Sequence, residues 1–111
     1  MIPASVRIFV CTEPQDLRRS FDGLALAARE RLGEDPRSGA LLCFVNKRSN
    51  RLKILWWDRN GYCLLYKRLH RALFRLPPGE VRSPSALRLS AAQLAELIAG
   101  VATQRRQIGE C

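Results

Sequence analysis

The chain has 111 residues, with 19 Lys and Arg against 10 Asp and Glu, a formal net charge of +9 at pH 7. That length suits one domain that buries a core without disulfides or a structural metal, and a 47% hydrophobic content excludes a disordered basic tail. Apolar runs are no longer than a strand, which excludes a membrane-spanning helix. Met1–Ser5 has neither the cationic start nor the apolar stretch of a secretory signal, so a cytoplasmic protein is expected.

In chain order, Val6–Val10 is β-branched and aromatic and predicts a first strand. Thr12, with Gln15 three residues on, has the form of a capping box. It predicts a helix running to about Leu32 on the stripe Leu17, Phe21, Leu24, Ala28 and Leu32, ended by Gly33. After a polar connection, Leu41–Val45 and Arg51–Trp57 predict two strands joined by the turn Asn46–Asn50. Asp58-Arg59-Asn60-Gly61 carries the Asn-Gly hairpin signal, which leads into a fourth strand from Tyr62 to about Lys67. His70–Leu76 suits a short helical turn or a ragged edge strand. Pro77-Pro78-Gly79 interrupts the chain, and Leu87–Leu89 predicts a last short strand. Ser90 then caps a helix with Gln93 as its partner and Leu94, Leu97, Ile98 and Val101 as its stripe.

This order predicts a single α+β domain over 1–103, a mainly antiparallel sheet with two helices packed on one face. A polar C-terminal tail over 104–111 is expected to fray.

The charge is local. Residues 37–75 hold ten Lys and Arg and one acid, Asp58, so this stretch carries the whole imbalance. Alternation on the third strand points Leu52, Ile54 and Trp56 toward a core and Arg51, Lys53, Leu55 and Trp57 the other way. Lys47 and Arg48 crown the adjacent turn; Lys67, Arg68 and Arg71 continue the charge beyond it. Cations interleaved with an aromatic suit a phosphate backbone with a stacking contact. The candidate nucleic-acid-binding residues are therefore Lys47, Arg48, Arg51, Lys53, Trp57, Lys67, Arg68 and Arg71.

Other chemistry finds less support. Cys11, Cys43, Cys63 and Cys111 are far apart in sequence and His70 is the single histidine, so no zinc-ligand spacing occurs and no metal is expected. Cys43 and Cys63 fit buried strand thiols. There is no nucleophile elbow, phosphate-binding glycine loop or catalytic triad, so neither a cofactor nor an enzymatic activity is expected. A metal-dependent nuclease would have to use Asp16, Asp22 and Asp58. Asp16 and Asp22 lie off each other's face on the predicted helix. Ordinary roles at a helix start and in a turn account for Asp16 and Asp58.

Two blocks carry a family resemblance. Asp16-Leu17-Arg18-Arg19-Ser20-Phe21-Asp22-Gly23-Leu24 is one, and Leu42 to Gly61, with its Asn46-Lys47-Arg48 and Trp56-Trp57-Asp58, is the other. Tyr66-Lys67-Arg68-Leu69 and the segment from Leu89 to Gly100 follow in order. Together they resemble the small accessory proteins of bacterial insertion sequences of the IS-sixty-six class, over about residues 2–102. His70 and Leu76 depart from the pattern, where an acid and a Trp are common. The resemblance implies an accessory factor for DNA transposition, encoded beside a separate transposase that carries the catalytic acids. Charge and resemblance together predict DNA as a partner, through the basic hairpin face, with the transposase as a second partner and no membrane. The alternative is a protein–protein module that docks on the transposase without touching DNA, through the helix at 90–101 or a sheet edge.

Overall fold

Strands form at the apolar runs, and two of those runs are apolar at successive positions rather than alternate ones, which decides how the layers stack. A computed structural model describes residues 5–103; the tail expected over 104–111 lies outside them. The elements in chain order are β1 (Ile8–Cys11), α1 (Phe21–Ala27) continued by a π-helical turn (Ala28–Leu32), β2 (Leu41–Val45), β3 (Arg51–Asp58), β4 (Gly61–Arg68), β5 (Ala72–Leu73), β6 (Glu80–Ser83), β7 (Ala86–Leu89), α2 (Ala91–Ala99) and β8 (Val101–Ala102). Six strands form one mixed sheet in the order β4-β3-β2-β1-β7-β6, while β5 and β8 pair separately. β1 and β2 run parallel, with α1 in their connection; the other ladders of the sheet are antiparallel. The α+β class and the mostly antiparallel sheet are as the sequence predicts.

The placement of both helices on one face is not. Phe9, Cys11, Leu42, Phe44 and Leu55 pack with Leu24, Ala28 and Leu32 of the α1 region. Ile8, Val10, Cys43, Val45, Leu52 and Ile54 pack with Leu94 and Leu97 of α2. These two sets alternate along the same strands, so α1 and α2 cover opposite faces of the sheet. The physical reason is visible in β1 and β2, which are buried on both sides. A strand apolar on both faces needs cover on both.

The first helix also starts later than the capping-box reading places it. Thr12 is no cap: its N–H donates to Ser85 C=O and its hydroxyl to Pro84 C=O. The Gln15 N–H donates to Val45 C=O. Asp16 turns back on itself, its Oδ1 accepting the Arg18 N–H at 3.0 Å, a local bond that competes with helix formation. Leu17 is anchored in the core, but Phe21 is 42% exposed and does not share its face. The helix begins at Phe21 after Ser20 and ends, as predicted, at Gly33, which takes the left-handed conformation at φ 65°.

Two further differences concern short elements. His70–Leu76 contributes the two-residue strand β5. β6, exposed and framed by Pro78 and Pro84, has no strand pattern to read; it exists because β7 supplies a ladder for it. The second helix matches: Ser90 Oγ accepts the Gln93 N–H and Gln93 Oε1 accepts the Ser90 N–H. It stops at Gly100, so Val101 falls in β8 rather than on the helical stripe.

Candidate nucleic-acid interface

The turn between β2 and β3 is built by Asn46. Its Oδ1 accepts the backbone N–H groups of Asn50 and Arg51 at 3.0 and 2.9 Å, and its Nδ2 donates to Asn50 Oδ1 at 2.8 Å. One side chain thereby pairs two backbone N–H groups of the turn, while the Ser49 N–H donates to the Asn46 C=O and the Asn46 N–H to the Arg51 C=O. Lys47 and Arg48 are left exposed at the tip. The loop that leads from β1 to α1 passes beside this turn. Asp16 fastens it: Arg18 donates Nε and Nη2 to the Asp16 carboxylate, the shorter contact 2.7 Å. The Arg18 side chain first, and its backbone N–H second, hold the Asp16 carboxyl down at about 2. This carboxylate stays ionised, and the loop clasped, until pH falls toward that value. The contribution is present above the ordinary carboxylate range and lost only below it.

Between loop and turn lies an open groove of about 980 Å³. Arg18, Lys47, Arg48, Arg51 and Lys53 line it against the single carboxylate of Asp16, with Tyr66 on the floor. The hairpin register explains Tyr66: β3 and β4 pair so that Lys53 stands opposite Tyr66 and Arg51 opposite Arg68. Arg51 Nη1 donates to the Tyr66 hydroxyl. Lys53 Nζ sits 5.0 Å from the Tyr66 ring centroid, a cation–π distance, while the ring remains 49% exposed.

Lys53 differs from its neighbours. It is 8% exposed, and its ammonium donates to the Arg19 carbonyl at 2.8 Å. Among the described residues, no carboxylate lies within salt-bridge distance of Lys47, Arg48, Arg51 or Arg68; the ion pairs present involve Arg7, Arg18, Arg29, Arg31 and Arg82. Two arginines directly opposed on a ladder, with no counter-charge, are a local electrostatic cost.

The remaining candidates lie elsewhere. Trp57 is six residues further along β3, about 20 Å from Arg51 at strand rise. Its ring packs edge-on to Tyr62, with Arg37 stacked over it at 4.8 Å, and its Nε1 donates to Arg59 C=O. Lys67 is on the α2 face and donates to Ile98 C=O at 2.7 Å. Arg71 is exposed in the connection to β5, with φ 58°, and does not line the groove. So the structure brings together Lys47, Arg48, Arg51 and Lys53, sets Arg68 beside them, and leaves Trp57, Lys67 and Arg71 apart. It adds Arg18 and Tyr66, which the local charge pattern does not single out. Tyr66 was open to detection, because the Asn60-Gly61 turn fixes the register that puts it opposite Lys53.

The carboxylates a nuclease would need are dispersed. Asp16 belongs to the loop clasp, Asp22 to the first turn of α1 and Asp58 to the far end of β3. Among the described residues no three His, Cys, Asp or Glu side chains gather as a metal site. Cys11 and Cys43 are buried and Cys63 is half-buried; burial alone pushes the Cys43 thiol up to about 12.

What fold and groove define together is a small α+β protein with a cation-lined cleft on one face of its sheet. The chain belongs to the family described as IS66 Orf2 like protein, whose model matches residues 6–108, a family associated with transposition of IS66-class insertion sequences. It is similar to two uncharacterized proteins of Sinorhizobium fredii (strain NBRC 101917 / NGR234). Protein y4hO is 37% identical over 103 residues, covering 91% of this chain and 87% of the relative. Protein y4jC is 35% identical over 96 residues, covering 86% and 80%. No solved structure matches the chain.

Proposed function

We propose that this protein is a non-enzymatic accessory factor for insertion-sequence transposition that binds nucleic acid along the groove between the β1–α1 loop and the β2–β3 turn. The observation that carries the reading is the unneutralised cluster of Lys47, Arg48, Arg51 and Arg68, with Arg51 and Arg68 directly opposed. A phosphate between them relieves the repulsion and supplies the missing counter-charge. Lys53 acts differently, tying the loop to β3 and holding one face of Tyr66. The free face of that ring is placed to stack on a base or sugar at the groove floor.

The test is a mobility-shift titration with element-end DNA and with random DNA, each as duplex and as single strand, over a salt series. About four phosphate contacts predict a log–log salt slope near −3.6 on duplex, roughly a hundredfold loss of affinity between 50 and 200 mM salt. The Arg48→Gln/Arg51→Gln variant is expected to flatten the slope by about two contacts. Absence of binding at low salt, or a slope unchanged in that variant, overturns the proposal. If the protein instead co-purifies with its transposase after nuclease digestion and ignores naked DNA, the groove serves an acidic protein surface.

A further inference from the structure

The two edges of the six-stranded sheet are finished differently. At one edge, β6 has four residues, two of them charged (Glu80 and Arg82), a register shift between Val81 and Ser83, and prolines before and after it. These are the devices that keep an edge from pairing with another chain. At the other edge, β4 has eight residues in unbroken register with β3 and no proline, and its stretch from Gly61 to Tyr66 is uncharged. Leu65 is 38% exposed on it, and Tyr66 is more open still.

The backbone of β4 shows which groups are free. The ladder continues past the strand with the Leu69 N–H donating to Asn50 C=O. In an antiparallel pair alternate residues bond inward, so Cys63, Leu65 and Lys67 bond to β3. Tyr62, Leu64, Tyr66 and Arg68 turn their N–H and C=O groups outward, and no other described element reaches them with a backbone bond.

We infer that β4 is a self-association edge, which pairs antiparallel with β4 of a second copy of this chain about a two-fold axis at Leu65. The charge pattern along the strand selects this occupant and direction. The cations are confined to one end, Lys67 and Arg68. Antiparallel pairing carries that end to the Gly61–Tyr62 end of the other copy, where β4 itself is uncharged and Asp58, the only carboxylate of the hairpin, stands one strand away, with Arg59 in the turn and Arg37 over the Trp57 ring. A parallel arrangement stacks the four cations on one another. The antiparallel one also lays Leu65 against its counterpart and Leu64 opposite Tyr66, and satisfies the outward backbone groups reciprocally, as a two-fold interface requires. This inference does not depend on the nucleic-acid reading, and salt separates the two. Screening favours pairing of two chains of charge +9, whereas it weakens phosphate binding.

The test uses the full chain, freed of nucleic acid by nuclease and high salt. Sedimentation over a concentration series should give a mass rising from monomer to dimer, more readily at higher salt. In the wild-type protein, amide hydrogen exchange at Tyr62, Leu64 and Tyr66 should slow by at least about tenfold with rising concentration, while Cys63 and Leu65, already bonded to β3, stay unchanged. Leu65→Lys should shift the dissociation constant upward by about tenfold or more, since it sets a cation at the centre of the pairing. A monomer at every concentration, exchange at Tyr62, Leu64 and Tyr66 indifferent to concentration, or a dimer that persists undiminished in a folded Leu65→Lys variant overturns the inference.

Discussion

Lys53 and Arg51 stand two residues apart on one strand and face the same way, yet their side chains do different work. Arg51 reaches the open groove, whereas Lys53 is covered and spends its ammonium on the Arg19 carbonyl. Their shared face was legible from alternation alone, since Leu52, Ile54 and Trp56 claim the other side. Their division was not. The carbonyl that takes Lys53 arrives from 34 residues away, on a loop whose course depends on Leu17 entering the core. Pattern within β3 carries no information about that loop. The same distinction yields a prediction. Lys53→Met removes a charge-assisted, part-buried bond that ties the loop to β3 and should lower stability by about 1–3 kcal/mol. Arg48→Gln, at an exposed turn tip, should change stability by less than about 0.5 kcal/mol while weakening nucleic-acid binding. Urea denaturation of both variants beside the shift titration checks the pair. Equal stability loss in the two would place Lys53 among the solvated cations after all.

At the scale of elements, two capping boxes were readable and one of them forms. Ser90 and Gln93 make both reciprocal bonds because nothing else competes for them at the end of β7. Thr12 and Gln15 have the same spacing, but tertiary partners claim their N–H groups first: Ser85 for Thr12 and Val45 for Gln15. A local motif wins only where the chain around it is free to adopt it. The two threefold spacings therefore predict different outcomes on truncation. Ser90→Ala should cost about 1 kcal/mol by loss of a working cap. Thr12→Ala should leave helix content unchanged, because it removes only a tie to Pro84 in the β6–β7 turn. Far-UV circular dichroism with thermal melts distinguishes them; a loss of helix in Thr12→Ala would revive the longer first helix. The placement of α1 and α2 was legible in the same partial way. The strand β1, apolar at every position, already demands cover on both faces, a demand that the alternating pattern of β3 obscures.

For the whole molecule, the question is whether the charge of +9 acts as a diffuse field or as a site. A diffuse field makes every arginine worth about the same to a polyanion. A site makes worth depend on position, because counterions are released only where phosphates are contacted. The sheet order provides the comparison, since β4 and β3 carry the groove at one side and β7 and β6 carry Arg88 and Arg82 at the other. Arg48→Gln/Arg51→Gln and Arg82→Gln/Arg88→Gln each remove two charges from +9. If the groove is the interface, the first pair should cost at least about tenfold in affinity at 100 mM salt and reduce the salt slope by about two contacts. The second should cost less than about threefold and leave the slope nearly intact. Matched losses in both pairs would mean that net charge alone attracts the nucleic acid and that the opposed arginines have no special part in holding it.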